Sequence, residues 1–313
     1  MADKKTFSFN FQKLGSVIGL LAIIVILAVM SPDFLTQNNI FNVLRQVSIN
    51  ALIAFGMTFV ILTGGIDLSV GAMLALAGAL TAGMMAGGMD PILSILLGLL
   101  AGVVMGAING LLVTKGKVAP FIATLATMTI FRGLTLVYTE GRPITGFDSE
   151  MFTMLGAGYL FVIPVPVLWM LGSFALLYFI LKKTAFGRRT YAIGGNEEAS
   201  ILSGIKVDRV KIYIYSLTGF LSALAGIILT SRLNSAQANA GMGYELDAIA
   251  AVVLGGTSLS GGRGWIFGTL IGAMIIGVLN NGLNLLGVSS FYQQVVKGSV
   301  ILLAVLLDRK KAA

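Results

Sequence analysis

The sequence predicts an all-α, polytopic integral membrane protein with about ten transmembrane helices, some of them broken or half-length, and a pseudo-repeat of two halves. Of its 313 residues, 57% are hydrophobic and only 11% are charged, whereas soluble domains carry roughly 25% charged residues. The apolar residues form about ten blocks close to span length, and most charged residues lie between them. The 40 glycines fit the same class, because small residues let membrane helices approach closely.

Each apolar block is a predicted helix, and two of them need comment. The blocks are 14–30, 47–63, 68–88, 92–113, 119–138, 162–181, 211–231, 246–256, 265–286 and 291–307. The first follows Lys4, Lys5 and Lys13 without a small-residue cleavage site after it, so we expect an uncleaved first span. Block 246–256 is too short to cross about 30 Å of hydrocarbon. We expect it to be a half-helix or to extend back through Tyr244.

The distribution of basic residues predicts how the chain crosses the membrane. Ten crossings counted from a cytoplasmic N-terminus place most of the 21 lysine and arginine residues on the cytoplasmic side. Arg45, Arg142 and Arg232 fall outside, and Arg132 and Lys297 fall within spans. Such asymmetry is typical of multi-pass membrane proteins, so we expect a multi-pass protein of the inner (plasma) membrane with both termini cytoplasmic. The net charge of +8 then reflects topology and does not indicate a nucleic-acid partner.

We expect a single transmembrane domain in which residues 14–181 form a first half, residues 182–211 a cytoplasmic loop, and residues 212–313 a second half with a short basic tail. The motif GG-x-x-L-S-x-G occurs in both halves, at residues 64–71 and 255–262. Each copy interrupts apolar sequence, and repeated breaks in two halves are typical of a transport pathway. The alternative is a pair of tight glycine turns between helices. The span count makes the two copies parallel, and a count that differs by one crossing makes them inverted.

Several chemistries are excluded by composition and by missing motifs. The chain has no cysteine and no histidine, which removes thiol chemistry, imidazole chemistry and the common zinc sites. Residues 259–263 look like the signature motif of ATPase domains, but the sequence has no G-x-x-x-x-G-K-[ST] loop to hold phosphates. We therefore expect a non-catalytic protein that binds no cofactor and no metal.

The cytoplasmic loop carries the signals of a short helix. Asn196 is a good N-cap, Glu197 and Glu198 suit the positive end of a helix, and Gly204 suits a left-handed C-cap. Such a helix lies across the cytoplasmic face and presents residues 201–202, an isoleucine and a leucine, to a partner. The alternative is an ordinary solvated helix without a partner.

Five motifs resemble known transport proteins. Glu198-Ala199-Ser200-x-x-x-Gly204 resembles the E-A-A-x-x-x-G loop of ABC importer permeases, with Ser200 in place of the second alanine. Residues 63–71, 187–196 and 243–256 resemble the monosaccharide branch of that family, and residues 280–290 resemble its ribose-transporting members. The similarity extends over most of the chain.

The resemblance implies a membrane subunit that forms a homodimer, docks a separate cytoplasmic ABC ATPase and receives sugar from a periplasmic binding protein. It implies import of a monosaccharide, D-ribose first among the candidates. It also implies that the loop contacts the ATPase through Asn196, Glu197, Glu198, Ala199, Ser200 and Gly204. The alternative is a self-sufficient ten-span secondary transporter of a small polar solute, which would need its own ion-coupling chemistry.

Ionisable residues inside spans require a reason, because each costs about 2.5–3.5 kcal/mol on insertion scales. The set is Asp67, Arg132, Glu245, Asp247 and Lys297. Structural pairing within the bundle is one explanation for them. Asp67 is the strongest functional candidate because it lies in one of the two repeated breaks.

The candidate residues of a translocation pathway are polar and uncharged apart from Asp67. They are Asp67, Ser69, Asn280, Asn281 and Asn284. Asn280 and Asn284 lie four residues apart and share a helix face, and amide groups pair well with sugar hydroxyls. Hydrogen bonding between helices explains the asparagines equally well.

Overall fold

A computed structural model describes residues 11–309 of the chain and is almost entirely helical. The helices are α1 (Phe11–Met30), α2 (Gln37–Leu62), α3 (Val70–Ala86), α4 (Pro91–Thr114), α5 (Pro120–Thr139), α6 (Glu150–Gly156), α7 (Val165–Lys183), α8 (Ala185–Gly195), α9 (Glu197–Leu202), α10 (Val207–Leu233), α11 (Tyr244–Leu254), α12 (Ile266–Leu285) and α13 (Ser290–Arg309). Strands β1 (Tyr159–Leu160) and β2 (Ile163–Pro164) form one short antiparallel hairpin between α6 and α7.

Within the described residues, six helices are long and apolar enough to cross a membrane: α2, α4, α5, α7, α10 and α12. Two shorter apolar helical segments accompany them, namely Gly15–Met30 within α1 and the whole of α3, Val70–Ala86. Helix α11 has 11 residues and is therefore only about 16 Å long at 1.5 Å per residue. It begins at Tyr244 and is a half-helix, as predicted. The total of ten spans stays a prediction.

Helix α2 occupies the centre of the bundle. Every residue of its second part, from 47 to 62, is buried. Helices α10, α11, α12 and α7 all pack against it. A helix that is apolar and buried on every side is expected in the interior of a membrane bundle.

The interface between α4 and α10 is built on glycines spaced four residues apart. Gly98, Gly102, Gly106 and Gly110 line one face of α4. A Cβ added at Gly102 would lie 2.5 Å from the carbonyl oxygen of Gly219, and one at Gly106 or Gly110 would meet the α10 backbone. The glycines therefore permit direct backbone contact between the two helices.

Each predicted apolar block coincides with a helix, but sequence patterning missed three elements, one of which overlaps the start of block 162–181. These are α6, the β1–β2 hairpin and α8, and their short or amphipathic sequences give no span signal. Residues 1–10 and 310–313, which carry many of the terminal basic groups, lie outside the described residues. The cytoplasmic placement of the termini accordingly stays a prediction.

Candidate functional site

Helix α9, in the loop between α7 and α10, has the predicted caps. The Asn196 side-chain oxygen accepts a hydrogen bond from the backbone N–H of Ala199 at 2.8 Å. Gly204 adopts a left-handed conformation with φ of 79°, which glycine reaches without a steric penalty. The Ser200 hydroxyl donates to the Asn196 carbonyl at 2.8 Å and is buried against the bundle. The residues of the predicted loop helix therefore form one continuous capped unit.

One face of α9 is anchored and the other is free in the described chain. Lys211 of α10 forms an ion pair with Glu197, with an N–O distance of 2.7 Å. Glu198 and Leu202 lie four residues apart on the other face, where Glu198 is exposed and Leu202 is 89% exposed, and the neighbouring Ile201 is 56% exposed. Isolated surface leucines are common, but a carboxylate beside two protruding aliphatic side chains gives this face both charge and apolar area for a partner.

The end of α8 meets both glycine breaks at one point, which we call the glycine junction and define as residues 62–65, 194–195 and 261–262. The backbone N–H of Gly262 donates to the carbonyl of Leu62 at 2.9 Å. A Cβ at Gly194 would collide with that carbonyl and with the Gly262 nitrogen. The two copies of the repeated motif therefore contact each other and the residue that precedes the α9 cap.

A cavity of about 360 Å³ lies beside the glycine junction. Its lining includes residues 63–65 from the first break, residues 193–197 from the α8–α9 connection, and the side chains of Lys211 and Tyr215. Hence open space separates part of the loop from the first break.

Asp67 lies in a buried hydrogen-bond cluster behind the first break. Its Oδ1 accepts from the Ser69 backbone N–H at 2.9 Å and from the Ser69 hydroxyl at 2.7 Å. Asn109 of α4 donates to the Ser69 hydroxyl at 2.7 Å. Asp67, Ser69 and Asn109 are each fully buried. The cluster fixes the start of α3 and connects it to α4. Because its three residues are fully buried in the described chain, solvent does not reach the carboxylate in this conformation.

The three candidate asparagines of α12 do not converge on one point. Asn281 and Asn39 of α2 exchange two amide hydrogen bonds, at 2.8 and 3.0 Å. The Asn284 side-chain oxygen accepts from Gln293 of α13 at 2.8 Å. These two asparagines therefore connect α12 to two different helices, which agrees with the interhelical alternative.

Asn280 belongs to a third group, which we call the charged cluster and define as Asp247, Asn280 and Lys297. Lys297 of α13 pairs with Asp247 of α11 at 2.9 Å. Asn280 donates to the same carboxylate oxygen at 3.4 Å. Asp247 is only 2% exposed, so the pair compensates a charge that would be expensive alone. Structural pairing thus accounts for two of the five ionisable residues inside the spans.

Arg132 and Glu245 stabilise the segment between α10 and α11. The Arg132 Nη1 donates to the carbonyls of Ala238 and Ala240, at 2.6 and 2.8 Å. A Glu245 carboxylate oxygen accepts from the Gly243 backbone N–H at 3.2 Å. The segment before α11 is not helical, and side chains therefore pair with backbone groups there that have no helical hydrogen-bond partner.

Sequence reasoning missed Asn109 and Gly194, which complete the two sites. Asn109 is a lone amide in an apolar span, and the rule that polar residues in spans need a partner points to it. Gly194 lies in the 187–196 motif, but its contacts with Leu62 and Gly262 could not be predicted, because those segments are distant in sequence. The structure brings Asp67 and Ser69 together, but places the asparagines in separate contacts.

The fold and these sites define a polytopic helical membrane protein with a capped loop helix, α9, whose preceding residues contact two broken segments. The chain belongs to the family described as branched-chain amino acid transport system / permease component, which matches residues 39–305.

Curated relatives cover nearly the whole chain. It is 70% identical to the ribose import permease protein RbsC of Bacillus subtilis, over 99% of this chain and 98% of that one. It is 55% identical to the protein of the same name from Escherichia coli K12, over 95% and 93%. It is 44% identical to the D-allose transport system permease protein AlsC of E. coli K12, over 98% and 95%. No solved structure matches the chain.

Proposed function

We propose that this chain is the membrane permease subunit of an ATP-driven sugar importer and that its substrate is D-ribose. The observation that carries the proposal is the 70% identity, over nearly full length, to a ribose import permease. The identity is higher than that to the allose and arabinose permeases, at 44% and 41%. Although the family description names branched-chain amino acids, we assign a sugar because these similar curated proteins are named for sugars.

The proposed energy source is a separate ATPase that docks on the free face of α9. The sequence contains no phosphate-binding loop of its own. Glu198 offers a negative charge and Ile201 and Leu202 offer apolar area, both of which a groove on a partner protein can bind. The capping residues Asn196 and Gly204 keep these side chains in a fixed helical arrangement, with Glu197, Ala199 and Ser200 completing the helix.

The glycine junction is the proposed route by which ATPase movement reaches the membrane helices. Gly194 directly precedes Gly195 and the Asn196 cap, and it contacts the backbone of both breaks. Backbone contact without intervening side chains leaves no flexible group to absorb a displacement. A shift of α9 therefore moves the end of α2 and the 255–262 break together. Coupled movement of this kind is what a change between two conformations in alternating access requires.

The proposed translocation pathway passes between the two sets of polar side chains. Asp67 and Ser69 hold the first break closed at the end of the bundle that carries the glycine junction. Asn280, Asn281 and Asn284 lie in the last part of α12, which the predicted topology places toward the opposite side. Neutral amides suit an uncharged sugar, and exchange of their interhelical hydrogen bonds for sugar hydroxyls would need little net free energy.

The remaining parts of the proposed assembly follow from its class. A periplasmic sugar-binding protein supplies the substrate on one side, and a second copy of the permease completes a homodimer in the inner membrane. Both termini and the α9 loop face the cytoplasm. A cysteine introduced at Glu198 tests this orientation, because the chain has no other cysteine. We expect an impermeant maleimide to label it in inverted membrane vesicles. We expect no labelling in spheroplasts, whose inner membrane is still sealed.

Reconstitution tests the function directly. The permease is placed in proteoliposomes with its ATPase and binding protein, and uptake of labelled D-ribose is followed with and without ATP. We expect uptake only when ATP and all three proteins are present, with D-allose and L-arabinose competing poorly. Uptake by the permease alone would support a secondary transporter. ATP-dependent uptake of another sugar would disprove the ribose assignment and keep the class.

A further inference from the structure

A second cavity lies outside the loop site and the two polar clusters. It measures about 710 Å³, which is within the range of small-molecule sites. Its walls come from the last turns of α7, the exposed side of α8 and the first turn of α12. Helices α7 and α12 are both long and apolar enough to cross a membrane, so the cavity lies where two spans reach the water interface.

The walls of this cavity combine an aromatic surface with two cations. Phe174 and Phe267 are in ring contact at 6.1 Å between centroids, and Trp265 stacks beside Phe267 at 5.3 Å. Lys182 donates to the hydroxyl of Tyr178 at 2.8 Å, which holds its ammonium group at the rim. Aromatic side chains of this kind are enriched at the membrane interface, where one end is apolar and the other is wet.

The charge of the cavity is uniformly positive. Lys182 and Arg188 line it, and no acidic side chain occurs among the described residues that form its walls. Neither cation takes part in the ion pairs found within the described chain. An occupant with an anionic head and an apolar body would therefore satisfy both parts of the surface.

We propose that this cavity binds an anionic membrane phospholipid, with the phosphate between Lys182 and Arg188 and the upper acyl chains against Phe174 and Phe267. A basic pocket between spans near the cytoplasmic face is suited to an anionic headgroup. A free anion would leave the aromatic walls in water, whereas a membrane lipid covers them. Since Arg188 lies in α8, which ends at the glycine junction, a bound lipid also fixes the helix that precedes α9.

Lipid retention by the purified full-length permease tests this proposal. Native mass spectrometry compares retention of phosphatidylglycerol and of phosphatidylcholine by the wild type and by the double variant Lys182→Gln, Arg188→Gln. The matched control is Lys183→Gln, Arg189→Gln, which removes the same charge from the same two helices at exposed positions outside the cavity lining. Two interfacial cations predict an affinity loss on the order of tenfold for phosphatidylglycerol, confined to the first double variant.

Each outcome of this experiment supports or overturns the proposal. Selective loss of phosphatidylglycerol in the cavity variant, with unchanged thermal unfolding and unchanged retention in the control, supports it. Equal retention in all three proteins overturns it. Displacement of the lipid by millimolar inorganic phosphate would assign a free-anion site, and displacement on adding the ATPase would assign a protein interface. Either result also overturns the proposal, and none of them affects the assignment of D-ribose.

Discussion

The glycine junction and the charged cluster hold the bundle together by opposite means. At the junction, backbone meets backbone, with the Gly262 N–H bound to the Leu62 carbonyl and no room for a Cβ at Gly194. In the charged cluster, the side chains of Asp247 and Lys297 meet as an ion pair at 2.9 Å. In the proposed mechanism the first contact transmits movement between segments, whereas the second stabilises them by neutralising a buried charge. The comparison separates a contact that couples segments from one that only holds them.

Loss of Lys297 is expected to have the largest effect on stability. Lys297→Met leaves the Asp247 carboxylate, which is 2% exposed, without its cation. Breaking a pair of this kind typically costs 3–5 kcal/mol, and we expect about 3 kcal/mol because Lys297 is partly exposed. Thermal unfolding of the detergent-solubilised permease measures the loss. The double variant Asp247→Asn, Lys297→Met removes both charges and should recover most of it. A single variant as stable as the wild type would show that the pair is unimportant.

Gly194→Ala is expected to have the next largest effect, and it tests the rigidity of the junction. The added methyl group collides with the Leu62 carbonyl, and overpacking of this kind costs about 1–3 kcal/mol. D-ribose uptake should fall with it, because the contact between α8 and the two breaks is forced apart.

Gly195→Ala is the matched control for this prediction. It adds the same methyl group one residue further on, where nothing lies within 4 Å. We expect its thermal midpoint and its uptake to stay close to those of the wild type. Equal behaviour of the two variants would contradict the close backbone contact at Gly194.

The ion pair that anchors α9 is expected to contribute least. Lys211→Gln removes the contact with Glu197. The Lys211 side chain is 15% exposed and that of Glu197 is 47% exposed, so the remaining carboxylate stays hydrated and we expect a loss of about 1 kcal/mol. The small loss should shrink further at high salt, because exposed charges are screened. Unfolding curves at low and high salt measure it. A loss of several kcal/mol would show that α9 is held by this pair instead of by its caps.

Local signals predicted some of these features and not others. Asn196 and Gly204 act on groups a few residues away, so their caps could be predicted from sequence and are confirmed. The half-helix that starts at Tyr244 was likewise predicted from the length of one apolar block. The partners of Asn281 and Asp67 could not be predicted, because Asn39 and Asn109 reach them through tertiary packing. The same holds for the junction, where three segments far apart in sequence meet.

Charge reversal at Glu198 tests the proposed role of α9 most directly. Glu198→Arg changes an exposed side chain at the first turn of α9 and adds a local penalty of only about 0.3–1 kcal/mol. Glu150→Arg is the matched control, since Glu150 is an exposed acidic residue in the first turn of the short helix α6. Both proteins should reach the membrane in normal amounts. Pull-down of the ATPase and ATP-dependent uptake of D-ribose should fail in Glu198→Arg and persist in Glu150→Arg. Normal ATPase binding and normal uptake by Glu198→Arg would contradict the coupling role of the loop.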